Sequence, residues 1–299
     1  MNHSFRQHNT YRKETNDNPT CSSQTISGRC VYQATGPSIT GNGPFIFTDT
    51  DFLRCSSSGN GSAIYSSKSG ASLTVERCRF DLCNCGSFSG GAIYANSLSL
   101  LSVKNSFFSS CGGNHEAFQG GAISIESVLN MLIRDDFFLK CYSCENAGAI
   151  DLRNSGSEQH GFPIQSSSFI CCECFLWTSP TGGAFEARTN QCGYFSSVLF
   201  TSCRADYGGA IYLLYTSSIS GNYVIQFCFF CNNSVPTFKY GNDVAAENFS
   251  PTNNKTFMQQ CLSTSSSKRL AFYDNRWDGT DVDWLPSGTA NSHKRLDTF

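Results

Sequence analysis

Two short motifs alternate along this chain of 299 residues about every thirty positions, and that period restricts the fold more than any other feature. One is a glycine pair running into Ala-Ile. It stands at Gly61-Ser62-Ala63-Ile64, Gly91-Ala92-Ile93, Gly121-Ala122-Ile123, Gly148-Ala149-Ile150, Gly183-Ala184-Phe185 and Gly209-Ala210-Ile211. The other is Phe-x-x-Cys, at Phe52/Cys55, Phe80/Cys83, Phe108/Cys111, Phe138/Cys141, Phe169/Cys172 and Phe200/Cys203, with Phe230/Asn233 closing the series. A fixed period of this length describes stacked units, none of which can bury its apolar face alone.

Within each unit the apolar residues recur every second position. After the motif alanine comes the column Ile64, Ile93, Ile123, Ile150, Phe185, Ile211 and Val244, and two residues later Ser66, Ala95, Ile125, Leu152, Ala187, Leu213 and Ala246. Polar or amphipathic residues alternate with them, which marks a strand with one buried face and excludes a helical stripe. A second strand holds Phe47, Val75, Val103, Ile133, Ile164, Phe195 and Ile225, five residues ahead of each repeat phenylalanine. The phenylalanine itself opens a third. Three strand-like sides per coil, stacked ~4.8 Å apart, predict an all-β parallel β-helix solenoid of about eight coils, roughly 35–40 Å long.

The register predicts a solenoid over residues 28–262, with Gly28-Arg29-Cys30-Val31-Tyr32 in the glycine frame and Phe257 and Cys261 finishing the last coil. Residues 1–27 read as a polar N-terminal segment or cap. Residues 263–299, with Phe272, Tyr273, Trp277 and Trp284, read as a tail whose aromatics cover the open end. A formal net charge of −2 gives no general attraction to nucleic acid or anionic membrane. No run of eighteen apolar residues is present, so no membrane span is expected. The start, Met1 to His8, has no apolar stretch of the secretory type, which predicts a cytoplasmic location, with the cell surface or secretion as the alternative. Sequons at Asn2, Asn60, Asn232, Asn248 and Asn254 matter only in a secretory pathway.

These repeats resemble those of the polymorphic outer-membrane proteins, whose Gly-Gly-Ala-Ile and Phe-x-x-Asn motifs build right-handed β-helices of the pectin-lyase-like group. The resemblance covers roughly residues 28–261 and implies a right-handed coil, in keeping with the handedness of parallel crossovers, and a role in surface adhesion. In this chain cysteine replaces the family asparagine in six of seven copies, Asn233 keeping it.

Seventeen cysteines, an odd number, fall into register with the repeat and read as small buried hydrophobes stacked in a ladder. Cys141, Cys144, Cys171, Cys172 and Cys174 form the densest thiol group, and Cys141, Cys144, Cys172 and Cys174 among them are the candidate zinc set, although small-residue packing also accounts for them. No cofactor is expected. Candidate catalytic residues lie on the outward positions of the first strand. Asp151 and Glu186 stand one coil apart, with Arg153 and Arg188 in the neighbouring column beside Glu126. Two carboxyl groups ~5 Å apart suit a retaining glycosidase, and two arginines suit an anionic sugar. An exposed ladder of opposite charges is the plain alternative. Asp135-Asp136 and His160-Gly161 resemble polygalacturonase fragments, but Asp136 aligns with Cys78, Ser106 and Ser167 at a turn, and His115 and His160 read as loop residues.

Tyr65, Tyr94 and Tyr212, with Trp177 and Glu126, are the candidate contact surface for a protein or carbohydrate partner. Longer connections at residues 153–162, 173–181 and 215–223 would add to that surface. The leading expectation is a non-catalytic, adhesin-like β-helix module for binding or structure. The alternatives are a polysaccharide lyase or glycoside hydrolase acting on acidic sugars, and an intracellular scaffold protein.

Overall fold

The computed structural model describes residues 20–21, 25–27, 30–32, 38–39, 43–112, 117–154, 161–175, 180–189, 192–214, 222–236, 241–247, 255–259, 261–263, 270–273 and 280–282. Every regular element among them is a strand, and none is a helix that could cross a membrane. One coil shows the plan: Ile93–Asn96 lies in a first sheet, Leu100–Lys104 in a second and Phe107–Ser109 in a third. The next coil repeats it with Ile123–Glu126, Asn130–Arg134 and Phe137–Leu139. The first sheet has eleven strands and the others nine each, close to the eight coils expected. All their pairings are parallel except that of Leu270–Tyr273 with Thr280–Val282 at the end. The chain is a β-solenoid.

Like residues pair with like. Ile93 stands opposite Ile64 and Ile123, Val103 opposite Val75 and Ile133, and Phe108 opposite Phe80 and Phe138. These columns fill one continuous core with no solvent exposure. The phenylalanines from Phe52 to Phe230 stack with ring centroids 4.6–5.2 Å apart and planes within 2–9° of parallel. Each contributes ~1.5–3 kcal/mol by burial alone. Beside them the repeat cysteines form the expected ladder. The Sγ of Cys83, Cys111, Cys141, Cys172 and Cys203 lies 3.6–3.9 Å from the carbonyl oxygen of the phenylalanine one coil back. Asn233 does the same with its amide, donating to Phe200 O at 3.2 Å while its Oδ1 accepts from Cys203 N at 3.0 Å. The thiol thus stands in for the amide as a weak donor to the same carbonyl.

Two corners of each coil turn on a single residue in the left-handed region. Asp49, Arg77, Asn105, Asp135, Ser166, Ser197 and Phe227 have φ of 49–59° ahead of the third sheet, and residues from Arg54 to Asn232 have 50–55° after it. The side chain following the first of these corners turns inward. Asp136 there accepts from Ser106 N at 2.7 Å and Arg134 N at 3.1 Å, while its own N–H donates to Ser167 Oγ at 3.1 Å. This carboxyl is a corner brace. Burial raises its pKa well above the ordinary range.

The ends of the solenoid depart from the sequence frame. Cys30–Tyr32 belongs to the third sheet, Val31 pairing with Phe52, and not to the glycine strand. The first coils have shorter connections, so this pair lies about twenty residues apart instead of thirty, and a constant period misplaces them. Strands at Thr20–Cys21 and Thr25–Ser27 extend the sheets into the segment read as a polar cap. Phe257 pairs with Val224 in the second sheet, and Ser263, not Phe257, stands opposite Phe230. Leu270–Tyr273 continues the first sheet beyond residue 263 and takes Phe272 and Tyr273 with it. Trp277 and Trp284 lie outside the described residues.

Candidate functional site

Between each repeat cysteine and the next glycine pair the chain makes an excursion that lies over the outer face of the first sheet. Its stretches bridge one another in parallel, Ser89 to Gln119, Gln119 to Asn146, Asn146 to Thr181 and Thr181 to Tyr207, and Tyr142–Ser143 pairs with Glu173–Cys174. The glycines make this possible. The first of each pair has positive φ, for example 57° at Gly120 and 64° at Gly182, and turns the excursion back into the sheet. The second is where backbones cross. A Cβ on Gly121 would stand 2.2 Å from Gly148 O and 2.3 Å from Tyr142 O, and one on Gly148 would stand 2.5 Å from Glu173 N.

Beneath this cover lies a second, polar buried layer. The outward column Tyr94, Ser124, Asp151, Glu186 and Tyr212 is at most 6% exposed. It packs under small or polar side chains of the excursions, among them Cys85, Ser143, Cys144, Asn146, Cys174 and Thr181, all buried as well. The catalytic candidates Asp151 and Glu186 stand opposite each other in register as expected, as do Arg153 and Arg188. They are not a surface ladder, however, because both carboxyl groups are 0% exposed. Tyr94 and Tyr212, expected as outward contact rings, are buried in the same way. Tyr65 remains half-exposed and stacks on Tyr94 at 5.5 Å, and Glu126 accepts from Tyr94 Oη at 2.7 Å. Trp177, His115 and His160 lie outside the described residues.

The charges are unevenly satisfied. Glu186 accepts from Thr181 Oγ1 and from Arg188 Nε, and Arg188 Nη2 donates to Asn146 Oδ1. Arg153 Nε lies 3.0 Å from Asp151 Oδ2, an ion pair by distance, yet the N–H is off the oxygen's line. Among the described residues neither Asp151 oxygen accepts a hydrogen bond, and Ser124 Oγ and Asn146 Nδ2 are also without a partner. Burial pushes the Asp151 carboxyl up to about 8; Arg153 and Arg188 draw it back while Glu186 and Glu126 add repulsion. Burial raises Glu186 too, against the pull of Arg188 and Thr181. Three carboxyl groups face two guanidinium groups, and a proton on Asp151 makes the set neutral.

The four thiols of the zinc candidate do not converge. Cys141 and Cys172 line the interior with the phenylalanines, whereas Cys144 and Cys174 belong to the outer layer. Among the described residues no three His, Cys, Asp or Glu side chains are placed to hold a metal ion. Sequence reasoning missed the partners from the excursions, Thr181 and Asn146. A signal was present in the small residues recurring at Cys85, Ser143, Cys174 and Ala205, since only a covered strand requires small side chains on its covering segment.

No protein-family model, curated protein or solved structure matches the chain.

Proposed function

We propose that the protein is a non-catalytic β-solenoid module that binds another protein through the outer face of its third sheet. The observation that carries this reading is an apolar strip on that face. Phe107, Phe137, Leu139, Ile170, Leu199 and Phe229 follow one another along five successive strands, each half-buried. Phe107 and Phe137 stack at 5.4 Å. One coil earlier the face becomes charged, with Arg79 and Asp81 paired at 3.0 Å. An uncharged strip of stacked rings and aliphatics suits an apolar protein surface better than an acidic sugar, which requires donors and cations.

The burial of Asp151 and Glu186 argues against the lyase or hydrolase reading, since neither carboxyl can touch a polysaccharide beneath the covering excursions. The repeat spacing supports membership of the right-handed pectin-lyase-like group with polymorphic outer-membrane protein repeats, and with it an adhesin-like role. Two assays test the proposal. Incubation with acidic polysaccharides, followed by unsaturated-uronate absorbance and reducing ends, is expected to show no turnover; turnover that Asp151→Asn or Glu186→Gln abolishes would overturn it. Beads coated with the protein are expected to adhere to cell surfaces and to lose adhesion with Ile170→Glu or Leu199→Glu. Adhesion equal to wild type in both variants would remove the strip from the proposal.

A further inference from the structure

Near the C-terminal end of the solenoid two cysteines meet outside both ladders. Leu262–Ser263 pairs in parallel with the preceding coil, Leu262 opposite Phe229 and Ser263 opposite Phe230. The residues just ahead, Cys261 and Cys228, therefore stand about one strand spacing apart, ~4.8 Å, within the Cα separation of roughly 4.4–6.8 Å that a disulfide bridges. The neighbouring Cys261 thiol, with burial, raises the Cys228 pKa above its ordinary value. Cys228 Sγ lies 3.3 Å from Gln226 O and Cys261 Sγ 3.3 Å from Ile225 O, so both side chains turn into the same corner. Cys228 is buried and Cys261 is partly exposed. Both stand at the corner just ahead of the third-sheet strands.

No other described thiol combines these properties. The repeat cysteines are fully buried, and those in mid-ladder have a like neighbour on both sides, with no preferred partner and no access for an oxidant. On its other side Cys228 has Val198, so no thiol of the preceding coil competes for it. Of the remaining partly exposed thiols, Cys231 stands opposite Thr201, Cys171 follows Ile170, next to the Thr201–Ser202 turn, and Cys192 lies beside Gly161.

We propose that Cys228 and Cys261 form a redox-controlled disulfide that ties the coil of residues 222–231 to the one of residues 255–263, with a low-molecular-weight disulfide such as oxidised glutathione as the oxidant. The Cys261 thiolate attacks one sulfur of glutathione disulfide, whose S–S bond breaks and releases one glutathione thiolate. The Cys228 thiolate then attacks Cys261 Sγ and displaces the second glutathione. Two protein thiols are oxidised, one glutathione disulfide is reduced to two thiols, and the two protein protons pass to the leaving thiolates.

The full chain, equilibrated with oxidised glutathione and quenched with N-ethylmaleimide, is digested and analysed by mass spectrometry. A linked peptide containing Cys228 and Cys261 is expected, with the thiols counted after unfolding falling by two from seventeen. Cys228→Ser should instead accumulate glutathione on Cys261, and Cys261→Ser should leave Cys228 unmodified because it is buried. Glutathione retained on Cys261 of the wild type, Cys261 linked to a different cysteine, or Cys261 left as a free thiol would each overturn the proposal.

Discussion

Asp151→Asn tests the buried charge layer most directly. In the folded protein burial raises this carboxyl from 3.8 to about 8, with Glu126 and Glu186 opposing ionisation and Arg153 and Arg188 favouring it. In the sheet it stands between Ser124 and Glu186, neither of which adds a cation. Below about pH 4 the group is protonated whether the chain is folded or not, and its contribution to stability is fully present. Between pH 4 and 8 the unfolded chain releases a proton that the folded one retains, so stability falls as pH rises. At ~1.4 kcal/mol per pKa unit, four units give an upper bound of about 6 kcal/mol, comparable with the whole stability of a typical domain. The part between pH 6 and 8 is about 2–3 kcal/mol. Glu186, Asp136 and Asp51, which burial also raises, act with the same sign, and Asp49, which a hydrogen bond from Arg77 holds low, titrates below this window. Asparagine is isosteric and neutral at every pH. The variant should lose the part of the slope that Asp151 supplies and decline less than wild type, while its unpartnered amide costs about 1–3 kcal/mol at acid pH. Urea unfolding followed by far-UV circular dichroism at pH 5.5, 7 and 8.5, with a phosphine reductant, measures both. A wild-type midpoint that does not decline from pH 6 to 8, or an equal decline in the variant, refutes the reasoning.

Gly121→Ala should cost more than 3 kcal/mol or prevent folding, since its Cβ would meet two carbonyl oxygens of neighbouring coils that cannot move independently. Gly70→Ala, where φ is +80° but the space is open, should cost only about 1 kcal/mol, and thermal melts of the two variants compare crossing with strain. Cys141→Asn should stay within about 2 kcal/mol of wild type, because Asn233 shows that an amide in this column reaches the preceding phenylalanine carbonyl. Cys141→Asp should unfold the protein, since a carboxylate at that position would be buried without a cation.

The core was legible because it obeys two simple periods. Ile93, Ile123 and Ile150, or Phe80, Phe108 and Phe138, could be placed in columns from spacing alone, since a parallel stack repeats one environment in every coil. The ends were less legible. Val31 and Ser263 occupy the phenylalanine column without the motif, in coils whose connections differ in length from the rest. The site was legible in register but not in exposure. Asp151 and Glu186 were correctly placed one coil apart. Alternation along a strand says only that a side chain leaves the main core, and these two point into a second layer.

Periodicity alone dictated the stacked parallel coils, the phenylalanine and thiol ladders, and the glycine turns, because each is a local pattern that repeats with the chain. Only the tertiary structure decided that the excursions fold back over the first sheet. That closure depends on backbones from neighbouring coils passing within contact at Gly121, Gly148 and their equivalents. It turns an apparent surface row of charges into a water-excluded layer, where desolvation, not pairing, sets the protonation of Asp151.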